Sequence, residues 1–245
     1  MGVWSIPQQR RDELMDDPSL SDGEHMHALV ALRTINAISL TARQLTDAVC
    51  RLLPRRLGRP LVIADLACGG GDVTVALAKR LAARWAGGPD AVRVIGVDMS
   101  GRAVERARGL AARRRCTAAE FVVGDIVADG CPPCDVAVSS LFLHHLDDPA
   151  AGRVLASMAT RASCGGAVSD LLRTRAGLAL AVLGTTLLST SRVARIDGPV
   201  SVKAARTLDE YRLLLDDAGL AHAGLRRTWP ERCVIEWTSQ GHGAA

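Results

Sequence analysis

Aromatic residues are scarce in this chain: two Phe, one Tyr and four Trp among 245 residues. Proteins that hold single-stranded nucleic acid stack its bases on aromatic side chains along a basic groove. The net charge here is only +4, and all but two of the 30 basic residues are Arg, a bias that makes the pI of 8.8 a poor guide to partners. The densest cluster, Arg113-Arg114-Arg115, falls where a helix should end, a favourable place for cations beside the helix dipole. No nucleic-acid partner is expected.

Long apolar runs are missing too. The most apolar stretch extends only from Ala176 to Leu188, short of the roughly 20 residues that span a bilayer. Met1 to Arg11 lacks the charged start and apolar run of a secretory signal, so a cytoplasmic location without a transmembrane segment is expected. The 7 cysteines are odd in number and scattered, and read as buried thiols. Cys131-Pro-Pro-Cys134 has redox-motif spacing, yet no thioredoxin-like strand precedes it and no second pair completes a zinc site; it reads as a loop before a strand. No His/Cys/Asp grouping has ligand spacing along the chain, so no metal is expected. With 48% apolar and 23% charged residues, the chain has material for a core and is not disordered. The length suits one compact unit, which could pair as a homodimer.

The segment Leu14 to Leu53 reads as helical, with Ser21-Asp-Gly-Glu24 as a capping box and Leu29, Leu32, Ile35, Ile38 and Leu45 at helical spacing. A basic turn region, Pro54 to Pro60, follows. Then the period changes. Leu61 to Leu66 is a continuous apolar run, as a buried parallel strand should be. A helix (72 to 85), a turn at Gly87-Gly88-Pro89, a strand (92 to 98), a helix capped by Ser100, a strand (119 to 123), a strand (134 to 139), a helix (149 to 162) and a strand (165 to 172) follow in order. Such alternation indicates an α/β fold, a parallel sheet with helices on both faces, and its ligands bind at the strand C-terminal ends. Beyond it come an apolar helix over 176 to 190, a helix opened by the capping box Thr207-Leu-Asp-Glu210 and ended by Gly219, and two closing strands near 224 to 229 and 233 to 237.

Three strand ends carry chemistry. Asp65-Leu66-Ala67-Cys68-Gly69-Gly70-Gly71-Asp72 joins a strand to a helix through glycines, whose missing Cβ lets backbone N–H groups approach a ligand. It is not the dinucleotide G-x-G-x-x-G pattern. One unit later, Gly96-Val97-Asp98-Met99 puts an acid where it can accept from both ribose hydroxyls. Gly124-Asp125-Ile126 offers a third acid, able to take an adenine amino group. Each aspartate alone would pass for a turn former; three in register point to a nucleoside.

The succession DLACGGGD, GVDMS, GDI and SSLFLHHLDD resembles class I S-adenosylmethionine-dependent methyltransferases, and most closely their small-molecule branch, which includes ubiquinone and menaquinone biosynthesis enzymes. The resemblance covers about residues 60 to 172. It implies a Rossmann-like, doubly wound, mainly parallel seven-stranded sheet over residues 59–245, with residues 1–58 as an N-terminal helical lid. S-adenosyl-L-methionine would be the cofactor. Asp65 and the turn Ala67, Cys68, Gly69, Gly70, Gly71 would hold its methionine part, Asp98 its ribose, and Met99, Asp125 and Ile126 its adenine. Ser140 and Leu141 would face the methyl group. Ala67 departs from the pattern, which begins this turn with Gly. A narrower likeness, carried by Leu14-Met-Asp-Asp-Pro18, Arg33 to Asn36 and Ser169-Asp-Leu-Leu-Arg173, is to bacterial methyltransferases linked to type III polyketide synthases, which methylate phenolic lipids or related quinols.

The expected reaction is methyl transfer to a small aromatic substrate, directed to oxygen of a phenol or quinol. Carbon methylation in a quinone-type pathway and a cofactor-binding regulatory protein without turnover are the alternatives. Aligning donor and acceptor is the main task, and a histidine suits removal of a phenolic proton. His144 and His145 are the candidates; being adjacent, only one is expected to point into the cleft, and His144 is preferred. Stabilising the loop before Asp147-Asp148-Pro149 is their alternative role. His25 and His27 read as a solvated helix face. Helix 176 to 188 is either ordinary core or the wall of an acyl-tail pocket.

Overall fold

The computed structural model describes residues 6–239 apart from 12, 18, 54–57, 86 and 87. Pro18, Pro54 and Gly87 therefore lie outside the described residues, as do the side chains of His25, Leu32, Arg33, Ile35, Asn36 and Ile38.

Seven strands form one sheet in the order β3-β2-β1-β4-β5-β7-β6. They are β1 (Leu61–Leu66), β2 (Val92–Asp98), β3 (Ala119–Val123), β4 (Cys134–Ser140), β5 (Ala162–Leu171), β6 (Gly224–Thr228) and β7 (Arg232–Thr238). The first five run parallel, and β7 is antiparallel to both of its neighbours. The helices are α1 (Asp22–Ile38), α2 (Thr41–Leu52), α3 (Asp72–Arg84), α4 (Gly101–Arg113), α5 (Asp148–Arg161), α6 (Arg175–Leu188), α7 (Arg192–Ala204) and α8 (Leu208–Asp217).

Alternation along each strand builds the two cores. Ile63, Val94 and Val136 face one side, against Leu45 and Val49 of α2, Leu77 of α3 and Val104 of α4. Ala64, Ala137 and Val168 face the other, against Leu155 and Met158 of α5 and Tyr211 and Leu215 of α8. Successive residues thus serve opposite layers, which is why the central strands read as continuous apolar runs. The chain winds from β1 outward to β3, then returns to β4 on the other side of β1. That reversal opens a crevice at the C-terminal ends of β1 and β4.

Two stretches differ from the sequence expectation. Leu14 to Leu53 is not one helical run: a 3-10 turn at Leu14–Asp16 precedes α1, and Leu40, in the left-handed region at φ 55°, separates α1 from α2. The two helices have different partners. α2 packs into the core beneath the sheet, whereas Leu29 of α1 lines the crevice. Helix α7 was not expected, because Gly198-Pro199 sits in its middle. Pro199 forfeits a backbone donor, but Ser191 caps the helix by accepting from Ala194 N (3.3 Å), and Gly198 allows contact with α6, where a Cβ would meet Thr185 at 2.7 Å.

Capping behaves as the sequence implied at Ser100 and Thr207, and in part at Ser21, where Glu24 bonds the serine hydroxyl rather than its backbone N–H. Ser100 accepts from Ala103 N, and Thr207 with Glu210 forms a complete capping box. At Ser21, the Oγ accepts from Glu24 N (3.3 Å) and donates to Glu24 Oε2 (2.7 Å). Arg113 to Arg115 are exposed at the end of α4. The seven thiols are unpaired, and Cys50 is exposed rather than buried.

Candidate active site

A cleft of about 960 Å³ opens at the switch point. Its first wall is the set of strand ends. Ala67, Cys68, Gly69, Gly70, Asp98, Met99, Asp125, Ile126, Ser140 and Leu141 all line it. Asp65 and Gly71 stand behind this surface. Asp65 is fully buried, accepts from Thr74 Oγ1 at 2.6 Å, and keeps Oδ1 without a partner among the described residues. Burial pushes its pKa up to about 7, against the Thr74 hydrogen bond, and the nearby charge of Asp98 adds to the rise. Gly71 turns into the core at φ 75°, where a Cβ would meet Ala107 at 2.6 Å and Phe121 at 2.8 Å. Ala67 takes the left-handed conformation, φ 55°, at the place where the resembled turn has Gly.

Asp98 ties the first two strand ends together. Its Oδ2 accepts from Gly69 N (2.7 Å) and its Oδ1 from Ser100 N (2.9 Å). Each carboxylate oxygen retains a lone pair toward the cleft wall. Met99 projects beside it, 75% exposed. Asp125 is exposed and uses Oδ1 to accept from Val127 N (2.9 Å), so it also shapes its own turn.

The second wall is electrostatic. A 3-10 turn at 143–145 follows β4 and carries two imidazoles, whose centroids are 4.3 Å apart. Both line the cleft, not one as expected, with their rings against one another. His144 Nδ1 lies 2.6 Å from Asp170 Oδ1, and His144 N donates to Asp170 Oδ2 at 3.1 Å. Burial pulls the His144 pKa down, but the charge and hydrogen bond of Asp170, with help from Glu13, outweigh it and the net shift is upward. For His145, burial and then neighbouring His144 push the pKa down to about 3. Glu13 Oε1 stands 3.9 Å from His144 Nε2 and 4.0 Å from His145 Nε2.

Three supports hold this cluster, and none was apparent in the sequence. Arg206 is 1% exposed and donates to Leu143 O (2.7 Å), Leu146 O (2.8 Å) and Asp148 Oδ1 (2.7 Å), clamping the histidine turn. Asp197 of α7 accepts from Leu14 N (2.9 Å) and Met15 N (3.0 Å), and Ser201, one helical turn on, donates to Glu13 Oε1. Helix α7 thereby sets Glu13 in the cleft. Asp170 could have been found, since it stands near the end of a parallel strand just as Asp65 and Asp98 do.

The third wall is apolar. Leu180, Leu183, Leu187 and Leu188 of α6 line the cleft with Met15, Leu20 and Leu29. Of the other histidines considered, His27 is exposed.

A family model described as a methyltransferase domain matches residues 63–166, which hold all three strand-end aspartates and both cleft histidines. Over those residues the chain is similar to methyltransferase domains. Solved methyltransferases share its fold at low identity. Magnesium protoporphyrin IX methyltransferase from Synechocystis PCC 6803, with bound SAH, is 18% identical with a TM-score of 0.56, over 92% of this chain and 91% of that one. An O-methyltransferase family 2 protein from Planctomyces limnophilus DSM 3776, in complex with apigenin, is 19% identical (TM-score 0.58; 91% and 63%). Human N-acetylserotonin methyltransferase with SAM is 17% identical (TM-score 0.59; 88% and 56%). The chain thus spans less than two thirds of the latter two. A search of curated protein sequences found no match.

The chemistry of the cleft suits S-adenosylmethionine. Oδ1 of Asp65 is a buried acceptor still unused, Gly69 has open space where a Cβ would stand, and Met99 offers an exposed apolar surface beside Asp98. These features suit an ammonium, a close backbone approach and an adenine in turn. When bound, the cofactor supplies a methyl group already activated on a sulfonium. No described helix of the chain is long and apolar enough to cross a membrane.

Proposed function

We propose that this methyltransferase methylates the oxygen of a small phenolic or quinol metabolite, polyketide-derived or lipid-tailed, with His144 as general base. The observation that carries the reading is the buried His144–Asp170 pair on the cleft wall, between the strand ends and the apolar face of α6. A proton on Nδ1 directed at Asp170 leaves the Nε2 lone pair to accept from a hydroxyl. As that O–H bond breaks, its electron pair stays on oxygen, which becomes nucleophilic toward the methyl group that the cofactor would supply. The proton moves to Nε2, and the imidazolium is balanced by Asp170 and, 3.9 Å from Nε2, by Glu13. His145, whose pKa lies far below neutrality, stays uncharged and packs beside it.

The rest of the reaction is alignment. Asp98 and the Ala67 to Gly70 turn would hold the donor, and Ser140 and Leu141, at the end of β4, line the same cleft. Leu141 adopts φ 56°, fixed by its N donating to Ser169 O (2.9 Å). The 3-10 turn and α1 act as the lid, pinned by Asp197, which keeps water from the reacting oxygen. That the O-methyltransferase family 2 protein among the structural neighbours holds apigenin agrees with oxygen as the acceptor atom.

Incubation with labelled S-adenosylmethionine and a panel of alkylresorcinols, quinols and flavonoid-like phenols tests the proposal. Fragmentation should place the new methyl on oxygen, and His144→Gln should lower kcat by about 10²–10⁴-fold. A carbon-methylated product would replace this reading with a quinone-type reaction. Tight cofactor binding with no turnover of any acceptor would favour a regulatory role.

A further inference from the structure

Helix α6 presents an unusual surface. Its Gly177 and Thr185 are buried, Thr185 lying against Gly198 of α7, while Leu180, Val182, Leu183, Leu187 and Leu188 are exposed, Leu187 at 78%. Single exposed leucines need no explanation, but five large apolar side chains on one 14-residue helix make a patch. Four of the five also line the cleft, so the patch is the lip of its mouth.

The segment that forms this lip carries charge of one sign, while exposed Asp17, which also lines the cleft, is tied to Ser19 N (2.8 Å). From Leu171 to Ile196 there is no acidic residue. Arg175 opens α6, and Arg192 and Arg195 open α7; all three are exposed. Arg195 folds back to donate to Ser189 O (3.0 Å) and Thr186 O (3.2 Å), which puts its guanidinium beside Leu187 and Leu188. Acids near α6 on other elements are already engaged: Glu231 accepts from Thr174 Oγ1 (2.7 Å) and pairs with Arg227, and buried Asp197 holds the N-terminal turn.

We propose that the α6 face docks on an anionic bilayer surface, from which a membrane-dissolved acceptor enters the cleft between the α6 leucines. An apolar helix face flanked by arginines suits the boundary between lipid headgroups and acyl chains, without spanning it. A second copy of this chain fits less well, because a two-fold contact through α6 would oppose the arginines of one copy to those of the other. The inference deepens the proposed function by naming the acceptor as a bilayer-partitioned amphiphile, and rests on that reading only for what is methylated.

Co-sedimentation of the full chain with phosphatidylglycerol–phosphatidylcholine vesicles tests it without requiring turnover. Binding should weaken with added salt and with falling phosphatidylglycerol content. Each cation near such a surface contributes roughly fivefold, so Arg192→Glu with Arg195→Glu should weaken binding at least about 25-fold. Val182→Glu, at an exposed position away from the cleft lining, should weaken it as well. Both variants should retain native kcat/KM for a short-chain soluble phenol, and both should lose the preference for a vesicle-borne acceptor. No vesicle binding by the native chain, or equal binding to pure phosphatidylcholine, would overturn the proposal. A concentration-dependent dimer abolished by Val182→Glu, without vesicle binding, would overturn it in favour of a self-interface. If vesicles bind but no phenol is methylated, the docking surface stands and the substrate reading falls.

Discussion

Asp170→Asn removes a charge from the proposed dyad while keeping the side chain's shape. In the native protein two backbone donors, His144 N at 3.1 Å and Leu171 N at 2.7 Å, converge on this carboxylate together with the imidazole at 2.6 Å. Asparagine keeps an oxygen for Leu171 N and the imidazole, which share Oδ1, and its amide group replaces Oδ2, the acceptor of His144 N. It also loses the countercharge. Burial lowers the His144 pKa, and Asp170 is the main reason the net shift is upward from 6.5. With the carboxylate gone, burial is opposed chiefly by Glu13, and the pKa falls. A general base works only when neutral. The native kcat/KM should therefore rise with pH through a midpoint above 6.5, and the midpoint in Asp170→Asn should be lower.

The plateau should also drop. A hydrogen bond to a charged group contributes about 1.5–3 kcal/mol, and here it strengthens as the imidazolium forms. That corresponds to a loss of about 10–150-fold in kcat, with the Kd for S-adenosylmethionine unchanged because Asp170 touches no proposed cofactor residue. Initial rates with a methylated acceptor, measured from about pH 5 to 10 and paired with calorimetry of cofactor binding, separate the two effects. A plateau within threefold of native, or a midpoint that stays or rises, would refute the dyad.

Arg206→Met leaves the carbonyls of Leu143 and Leu146 without their donor, at about 1–3 kcal/mol each. At about 2–4 °C per kcal/mol the melting temperature should fall by roughly 4–24 °C, and kcat should fall with it; an unchanged melt would show that the turn holds itself. Ala67→Gly relieves a left-handed alanine and should raise stability by up to about 1 kcal/mol in denaturant titration, less what glycine costs through the unfolded chain. Asp98→Ala should weaken S-adenosylmethionine binding at least about tenfold by calorimetry, since it removes the ribose acceptor and the anchor of Gly69 N; retained affinity would contradict the cofactor site. Asp65, raised by burial to about 7, holds a proton in the folded state that the unfolded chain releases near 3.8. The folded state thus binds more protons in that window, so stability should fall as pH rises from about 4 to 7, at up to about 1.4 kcal/mol per unit, and Asp65→Asn should flatten that slope in pH-dependent denaturation.

What could be read from the sequence was whatever is local. The strands β1 to β4, the Ser100 and Thr207 caps and the three strand-end aspartates each depend on a few consecutive residues, and each is where the sequence put it. The supports of the histidine turn are long-range. Arg206 reaches back to Leu143, and Asp197 and Ser201 reach back to the first turn of the chain. No window of sequence contains both partners, so no local pattern could pair them. Pro199 hid the helix that carries two of them.

Asp170 lies between these cases. The rule that an acid near a parallel strand's C-terminal end faces the ligand picked out Asp65, Asp98 and Asp125, and applies equally to β5. It passed unused because the expected cofactor takes only three such acids, and the fourth serves a different partner. β5 is adjacent to β4 in the sheet, pairing Ser140 with Ser169. The next residue on β5 therefore comes level with the turn that leaves β4, where His144 stands. Strand order thus places the acid beside the base, so the fold that builds a cofactor site at β1 and β2 builds an acid–imidazole pair at β4 and β5 from the same geometry.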